Sequence, residues 1–375
     1  MKRLIAGFTL LIVLVSCNRN DSGYAGFEKV DITEYELISF NDLINSTSLI
    51  PLENSPESIL PAEGRIWPSD TGFFFNGQSN DVREVFYFNE SGGFENNIGN
   101  IGRGPGEFPS CNNLSVLGDT IAIYDNRKKF SFYLRDGSFA GDIDLAKWPI
   151  SAASIHPTNK DIYLCTAFGN SLIYRLNRHS QVPVDSFVPN NYQRSNRKIK
   201  GNSFYPVSGG RLFYQTRFDP RLMICEITDT LEPRYHIEAG MKLRRYQEDD
   251  PESTLYFRNN RLVDWSLRGV LENQDWLYLF FRIDDYKDNS GFEISHFLVR
   301  KKDLMVYRLP GNRKDEDYFN RAFRMDQSNI LYLTIVPDHM LENDVWMKIC
   351  RKQDIPFSLD QNNFIVKIDL DNLTS

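Results

Sequence analysis

The chain of 375 residues has no apolar run long enough to cross a bilayer as a helix. Its longest, from about Leu4 to Val15, is roughly a dozen residues, against the about twenty that a spanning helix needs. Histidine is sparse: His156, His179, His236, His296 and His339 are scattered, with neither His-x-His nor His-x-x-x-His spacing. Zinc held by neighbouring ligands therefore has no support, and no metal or other cofactor is expected. There is no Gly-x-Ser-x-Gly elbow for a serine hydrolase and no Gly-Lys-Ser/Thr for a phosphate-cradling loop. The acidic run Glu248–Glu252 lacks the alternating oxygen ligands and glycine turn of a calcium loop, and reads as a solvated insertion. No Pro/Gly/Ser-rich linker divides the chain, and helical periodicity is weak outside 240–260 and 338–355. None of these absences names a substrate; they remove the common ways of finding one.

What is present begins at the N-terminus. Lys2 and Arg3 precede the short apolar run, and Leu14-Val-Ser-Cys17 follows it. Charged, apolar and small-residue regions in that order predict a secretory signal over residues 1–16. A cysteine directly after Leu-Val-Ser is the bacterial lipoprotein pattern, in which Cys17 takes a diacylglycerol and becomes the first mature residue. Several acyl chains on one residue give durable membrane anchoring. Asn18 resembles the sorting position of lipoproteins sent on to the outer membrane, so the expected location is that membrane, on its periplasmic or its outer face. Polar residues 17–34 read as a lipidated tether. Loss of residues 1–16 removes two cations and takes the formal charge from −7 to −7 − 2 = −9. A moderately acidic chain is a poor nucleic-acid ligand, and no nucleic-acid partner is expected.

The most informative stretch is Ile98–Phe108, Ile-Gly-Asn-Ile-Gly-Arg-Gly-Pro-Gly-Glu-Phe. Gly102, Gly104 and Gly106 admit positive φ, and Pro105 fixes one φ between two of them, which predicts a tight crossing loop plugged by Phe108. Then come Leu114-Ser-Val-Leu, a Gly118-Asp119 turn, Thr120–Asp125, a polar Asn126-Arg-Lys-Lys turn, Phe130-Ser-Phe-Tyr-Leu, the hairpin signal Asp136-Gly137, and Phe139–Ile143. Four short strands joined by turn residues form one antiparallel propeller blade.

These letters also carry a resemblance. Gly-Arg-Gly-Pro-Gly-Glu-Phe, then Ile-Ala-Ile-Tyr-Asp-Asn-Arg and Asp-Gly-Ser-Phe, look like the repeat of NHL-type propellers. The whole chain resembles the six-bladed β-propeller lipoproteins of Bacteroidetes, in which an Ile-Pro-Leu-Glu strand precedes the first blade; Leu49-Ile-Pro-Leu-Glu53 stands here. The likeness is sharp over about 49–145 and elsewhere is one of rhythm. The Ser-x-Asp-x-Gly-x-Thr-Trp box of sialidase propellers is absent.

Further strand pairs continue that rhythm: Thr71–Phe75 with Glu84–Phe88, Asp161–Cys165 with Leu172–Leu176, Gly210–Tyr214 with Arg221–Cys225, Asp275–Phe281 with His296–Arg300, and Asn329–Leu333 with Asn363–Lys367. With the unit at 120–143 they make six. The expectation is therefore an all-β, six-bladed propeller over 35–375, closed by a strand near Ser48–Leu52 that pairs into the last blade.

Candidate site residues are few. Arg103 and Glu107 on the glycine-rich loop, with Asp125 and Arg127 on a loop that the resemblance makes comparable, are candidate ligand-facing groups. Their competing role is to pair with turn backbone. Four cysteines besides Cys17 lie mostly in strand-like segments of different blades and read as buried free thiols. Trp67, Trp148, Trp265, Trp276 and Trp346 offer sugar-stacking faces or simply core. The reading is a cell-envelope binding or assembly module whose ligand is a glycan, a peptide or another envelope protein. The rival is a hydrolase or lyase with carboxylates gathered at the central channel.

Overall fold

The structure is a computed structural model, and it describes residues 26–61, 64–77, 84–125, 127–148, 150–166, 171–179, 182–189, 204–207, 210–215, 222–239, 263–285, 291–310, 324–341 and 344–373. The chain is a six-bladed β-propeller. Blade 1 is the sheet Gly64–Ser69, Gly72–Gly77, Val85–Asn89, Phe94–Asn97; blade 2 begins with Asn113–Leu117, blade 3 with Ile150–Ile155, blade 4 with Phe204–Val207 and blade 5 with Val263–Glu272. Blade 6 takes Arg324–Met325, Ile330–Ile335 and Phe364–Asp369, and its outer strand is Thr47–Pro51. The first strand of each blade touches the first strand of the next, and that of blade 6 touches that of blade 1, so six inner strands ring a central axis.

The core is six seams rather than one interior. Each apolar cluster lies between two neighbouring blades: Trp67, Phe74, Tyr87, Phe108 and Tyr133 between blades 1 and 2, for example, and Ile66, Phe73, Phe75, Phe86, Tyr332 and Ile365 between blades 6 and 1. Successive residues of a strand point to opposite faces, and here both faces are covered. Phe73 and Phe75 therefore serve one seam and Phe74 the other, and the strand reads as an unbroken apolar run. Gly64 shows how tight the seams are: a Cβ there would lie 2.0 Å from the ring of Phe75.

The N-terminal segment runs round the outside of the ring. Glu28–Asp31 adds in parallel to the outer strand of blade 4, pairing Glu28 with Tyr235 and Asp31 with Glu238. Glu36–Leu37 adds in parallel to the outer strand of blade 5. Helix α1 (Phe40–Ser46), capped by Ser39 accepting from the Asp42 amide, then leads to Thr47–Pro51, which pairs antiparallel with the last strand, Pro51 opposite Phe364 and Thr47 opposite Ile368. One strap thus covers the edges of three consecutive blades, edges that would otherwise expose unpaired backbone. Residues 28–32 were expected to be tether. They are part of the fold, because Val30 and Ile32 alternate with polar neighbours and are buried under blade 4.

The weak helical signal over 338–355 corresponds to α2 (Pro337–Leu341) and α3 (Asp344–Lys352), an excursion between the middle strands of blade 6; α4 (Leu370–Leu373) ends the described chain. In α3, Val345, Trp346, Ile349 and Cys350 form the buried stripe, with Asp344 in the first turn and Arg351 and Lys352 in the last, as the helix dipole favours. The possible helix at 240–260 and the acidic run 248–252 lie outside the described residues. No described helix is long and apolar enough to cross a membrane.

Candidate functional site at the propeller axis

The glycine-rich loop links the outer strand of blade 1 to the inner strand of blade 2, and it is tied to itself. Asn100–Ile101 pairs in parallel with Glu107–Phe108, and the Glu107 carboxylate accepts the amides of Arg103 and Gly104, each at 2.7 Å. Those two bonds hold the Glu107 carboxyl below the usual carboxylate range. Gly102 lets the Glu107 carboxylate lie close against the loop, since a Cβ there would fall 2.0 Å from that carboxylate and displace it. Phe108 is fully buried, edge-on to Tyr133 at 6.1 Å between ring centres. Asp125 is likewise spent on its own turn: one carboxylate oxygen accepts the amides of Arg127 (2.8 Å) and Lys129 (3.0 Å). Of the four candidate ligand-facing groups, Glu107 and Asp125 therefore shape loops. Arg103 is exposed and Arg127 half-exposed, and no described carboxylate pairs with either. Cys17 lies outside the described residues.

A different set of groups meets at the axis. Both loops sit at the end of the ring where the inner strands begin, and Arg65 is the second residue of blade 1 at that same end. Arg65 and Trp67 are two apart and so share one face of their strand. From blade 6, Arg324 places its guanidinium 4.8 Å from the centre of the Trp67 ring, which brings it to the face that carries Arg65. Arg65 is open to solvent and Arg324 partly so, yet protein surrounds both, as it does side chains lining a channel. Burial lowers the pKa of each, that of Arg324 to about 10 with the Arg65 charge as a second cause, so both remain protonated at neutral pH. Neither has an ion-pair partner or a side-chain hydrogen-bond acceptor among the described residues.

The described neighbours do not supply the missing charge. Cys111 faces Arg65, but burial pushes its thiol up to about 12 and keeps it neutral. Asn76, opposite Arg65 on the next strand, donates to the Cys111 carbonyl at 3.0 Å and so fixes that wall. On the far side, the Tyr278 hydroxyl is 2.8 Å from His296 Nδ1, with the His296 ring stacked on Phe280. In blade 5 the inner strand bulges at Leu267/Gly269, and the extra residue, Arg268, is exposed. Three adjacent inner strands thus carry an arginine each. Among the described side chains of the six inner strands the sole carboxylate is Glu272, buried and bound to Lys301 at 2.6 Å and Arg211 at 2.9 Å.

The tryptophans are not open sugar platforms: Trp67, Trp276 and Trp346 are buried and Trp148 packs beside Tyr174; the Trp265 side chain lies outside the described residues. Among the described residues no three His, Cys, Asp or Glu side chains gather as metal ligands. Cys111, Cys165, Cys225 and Cys350 are all buried, and none is joined in a disulfide among the described residues. Burial pushes the Cys225 thiol up to about 11 and the Cys111 thiol to about 12, so both stay protonated at pH 8. In a Cys17→Ala chain these four thiols are expected to resist an aromatic disulfide reagent at pH 8 and to react together once denaturant is added. A thiol that reacts rapidly in the folded chain would contradict the burial.

A family profile described as "Domain of unknown function (DUF4934)" matches residues 27–362. No curated protein sequence matches the chain. Among solved structures, one of a protein inferred to be exported in Bacteroides fragilis has a TM-score of 0.68 at 16% identity, covering 91% of this chain and 99% of that one. A member of the DUF4221 family from Bacteroides vulgatus has a TM-score of 0.52 at 12% identity, covering 86% and 95%. At these identities the likeness is one of fold.

Proposed function

The chain belongs to the DUF4934 family, and from that premise we propose that it is an exported, lipid-anchored propeller of the cell envelope that binds a ligand at its axis. The observation that carries the binding role is the axial arc of Arg65, Arg268 and Arg324 with no carboxylate pair among the described inner-strand side chains. Glycan hydrolysis needs two carboxyl groups about 5–10 Å apart, one of them able to hold a proton. Glu272, the sole carboxylate on those inner-strand side chains, is bound to Lys301 and Arg211 and has no second carboxylate beside it among them.

Export is supported by the charged, apolar and small-residue order of residues 1–16 and by the exported assignment of the Bacteroides fragilis neighbour. Lipid attachment at Cys17 accounts for membrane association without a spanning helix, and Asn18 favours the outer membrane. The strap gives the anchor a firm purchase, since the first described strand begins eleven residues after Cys17, at Glu28. Two experiments test the reading. Wild-type chain should fractionate with membranes and Cys17→Ala should be released as folded protein; a Cys17→Ala chain that stayed membrane-bound would end the lipoprotein reading. A thermal-shift panel of neutral and acidic sugars, peptides and oxyanions should contain at least one stabilising ligand, and a wholly silent panel would count against an axial ligand site.

A further inference from the structure

We propose that Arg65 and Arg324 form a clamp for one oxyanion group, a carboxylate, phosphate or sulfate carried by the ligand, with Trp67 as the floor that holds Arg324 in place. The inference rests on the axial-binding reading above and gives it a chemistry. Two guanidiniums reach one face of one strand from neighbouring blades, Arg65 beside Trp67 and Arg324 seated 4.8 Å from its ring. Each guanidinium has five N–H donors in a planar fork suited to oxyanions, and neither fork has a carboxylate or a side-chain acceptor among the described residues.

Two like charges brought side by side disfavour each other's charged form unless an anion joins them. Among the described residues nothing compensates that charge: the group facing Arg65 is a neutral buried thiol and the Tyr278 hydroxyl near Arg324 is engaged with His296. Elsewhere the sequence shows that it can pair its arginines: Arg175 meets Asp161 at 2.7 Å, Arg135 meets Asp70 at 2.8 Å and Arg300 meets Asp303 at 2.9 Å. In a chain with an excess of acidic residues, two cations at the axis without a carboxylate among the described residues mark a place where a ligand supplies the anion. Trp67 explains the choice of arginine over lysine, since a flat guanidinium rests on an indole while its edge remains free to donate.

The test uses the full chain, titrated at constant ionic strength with sodium acetate, inorganic phosphate, inorganic sulfate and glucuronate. Chloride and glucose are the controls. At least one oxyanion should raise the melting temperature in a saturable way while chloride and glucose do not, and the winning salt tells carboxylate from phosphate or sulfate as the source. Arg65→Gln and Arg324→Gln should each weaken that oxyanion tenfold or more, Arg65→Lys should weaken it less, and Arg300→Gln, whose arginine is paired with Asp303 away from the axis, should leave it unchanged. If Arg324→Gln fails to fold because Trp67 loses its cover, Arg65→Gln alone decides, since Arg65 is solvent-open. Oxyanion binding that survives Arg65→Gln at full strength overturns the clamp. Stabilisation by glucose or a peptide with none by any oxyanion overturns the clamp and leaves the axial-binding reading standing. Silence from every ligand overturns both.

Discussion

Deleting residues 26–52 is expected to abolish the cooperative thermal transition and to drive the purified chain into soluble aggregates on gel filtration. The segment buries Val30, Ile32, Ile38, Leu43, Leu49 and Leu52. At about 1.5–3 kcal/mol for each such side chain this amounts to about 9–18 kcal/mol. Ordering the same segment costs about 1–2 kcal/mol per residue, which over its whole length exceeds that gain, so the burial of these six side chains does not by itself settle the outcome. The balance is therefore decided by what the rest of the ring loses. Phe364–Asp369 would become a bare edge, the outer strands of blades 4 and 5 would lose their parallel partners, and Trp346 and Ile349 would lose Leu43 and Leu49 from their cluster. Set against a typical total stability of about 5–15 kcal/mol, the loss of a blade's outer strand is not survivable.

A point change separates the ladder from the burial. The Leu49 amide donates outward to Gln353 at 2.9 Å and the Leu52 amide to the Asn363 carbonyl at 3.1 Å, so alternation directs the Ile50 amide to Ile365. Ile50→Pro should cost about 3 kcal/mol or more, whereas exposed Ser48→Ala should stay within about 0.5 kcal/mol. Equal melting curves for the two would mean that this strand does not hold the ring.

The six-unit rhythm was legible because turns announce themselves. Gly118-Asp119 and Asp136-Gly137 mark hairpin ends by backbone chemistry that does not depend on distant partners, and Gly118 (φ 72°) and Gly137 (φ 84°) do take left-handed conformations. Many second and third strands could be read for a related reason: where both faces are buried, as in Gly72–Gly77, Val85–Asn89 and Thr120–Tyr124, the apolar runs are dense. The outer additions were not legible. Glu28–Asp31 and Glu36–Leu37 are short and mostly exposed, and they exist as strands because blades 4 and 5 offer an edge. Pairing of that kind is written in the partner strand, over 190 residues away, and not in the local letters.

The site was less legible than the fold. Glu107, Asp125, Arg103 and Arg127 stood out because glycine and turn residues surrounded them, yet the same turns consume both carboxylates. Arg65 and Arg324 gave a quieter signal. Gly64-Arg-Ile-Trp is an inner strand whose one cation sits among apolar residues, and Arg324-Met325 is a strand of two residues with almost no pattern. A lone arginine in an otherwise apolar first strand is a sign that could have been searched for. That two such strands are neighbours across the point where the ring closes is information that only the three-dimensional pairing contains.

Glu272→Ala is expected to destabilise the chain by about 3 kcal/mol, while pairing the loss with Lys301→Met should return part of it. Glu272 ends the inner strand of blade 5 at 2% exposure; it accepts hydrogen bonds from the Tyr235 hydroxyl at 2.6 Å and Lys301 at 2.6 Å, and its other oxygen forms an ion pair with Arg211 at 2.9 Å. Tyr235 and Arg211 belong to blade 4, so one carboxylate fastens two blades. Burial and this carboxylate push the Tyr235 hydroxyl upward, keeping it a donor at any physiological pH. Removing one member of a buried pair costs about 3–5 kcal/mol because the other charge stays behind. The lower end applies, since Lys301 and Arg211 are about a quarter exposed and water compensates them in part. Arg211 also retains Glu226 at 3.9 Å, which leaves Lys301 as the stranded cation. The double variant removes that cation, and its cost should fall below that of Glu272→Ala alone. Chemical denaturation of the wild type, both single variants and the double variant reads the coupling directly. Simple additivity would mean that the contact between blades 4 and 5 rests on the apolar seam of Phe213, Tyr235, Leu277 and Leu279, and that the carboxylate only adorns it.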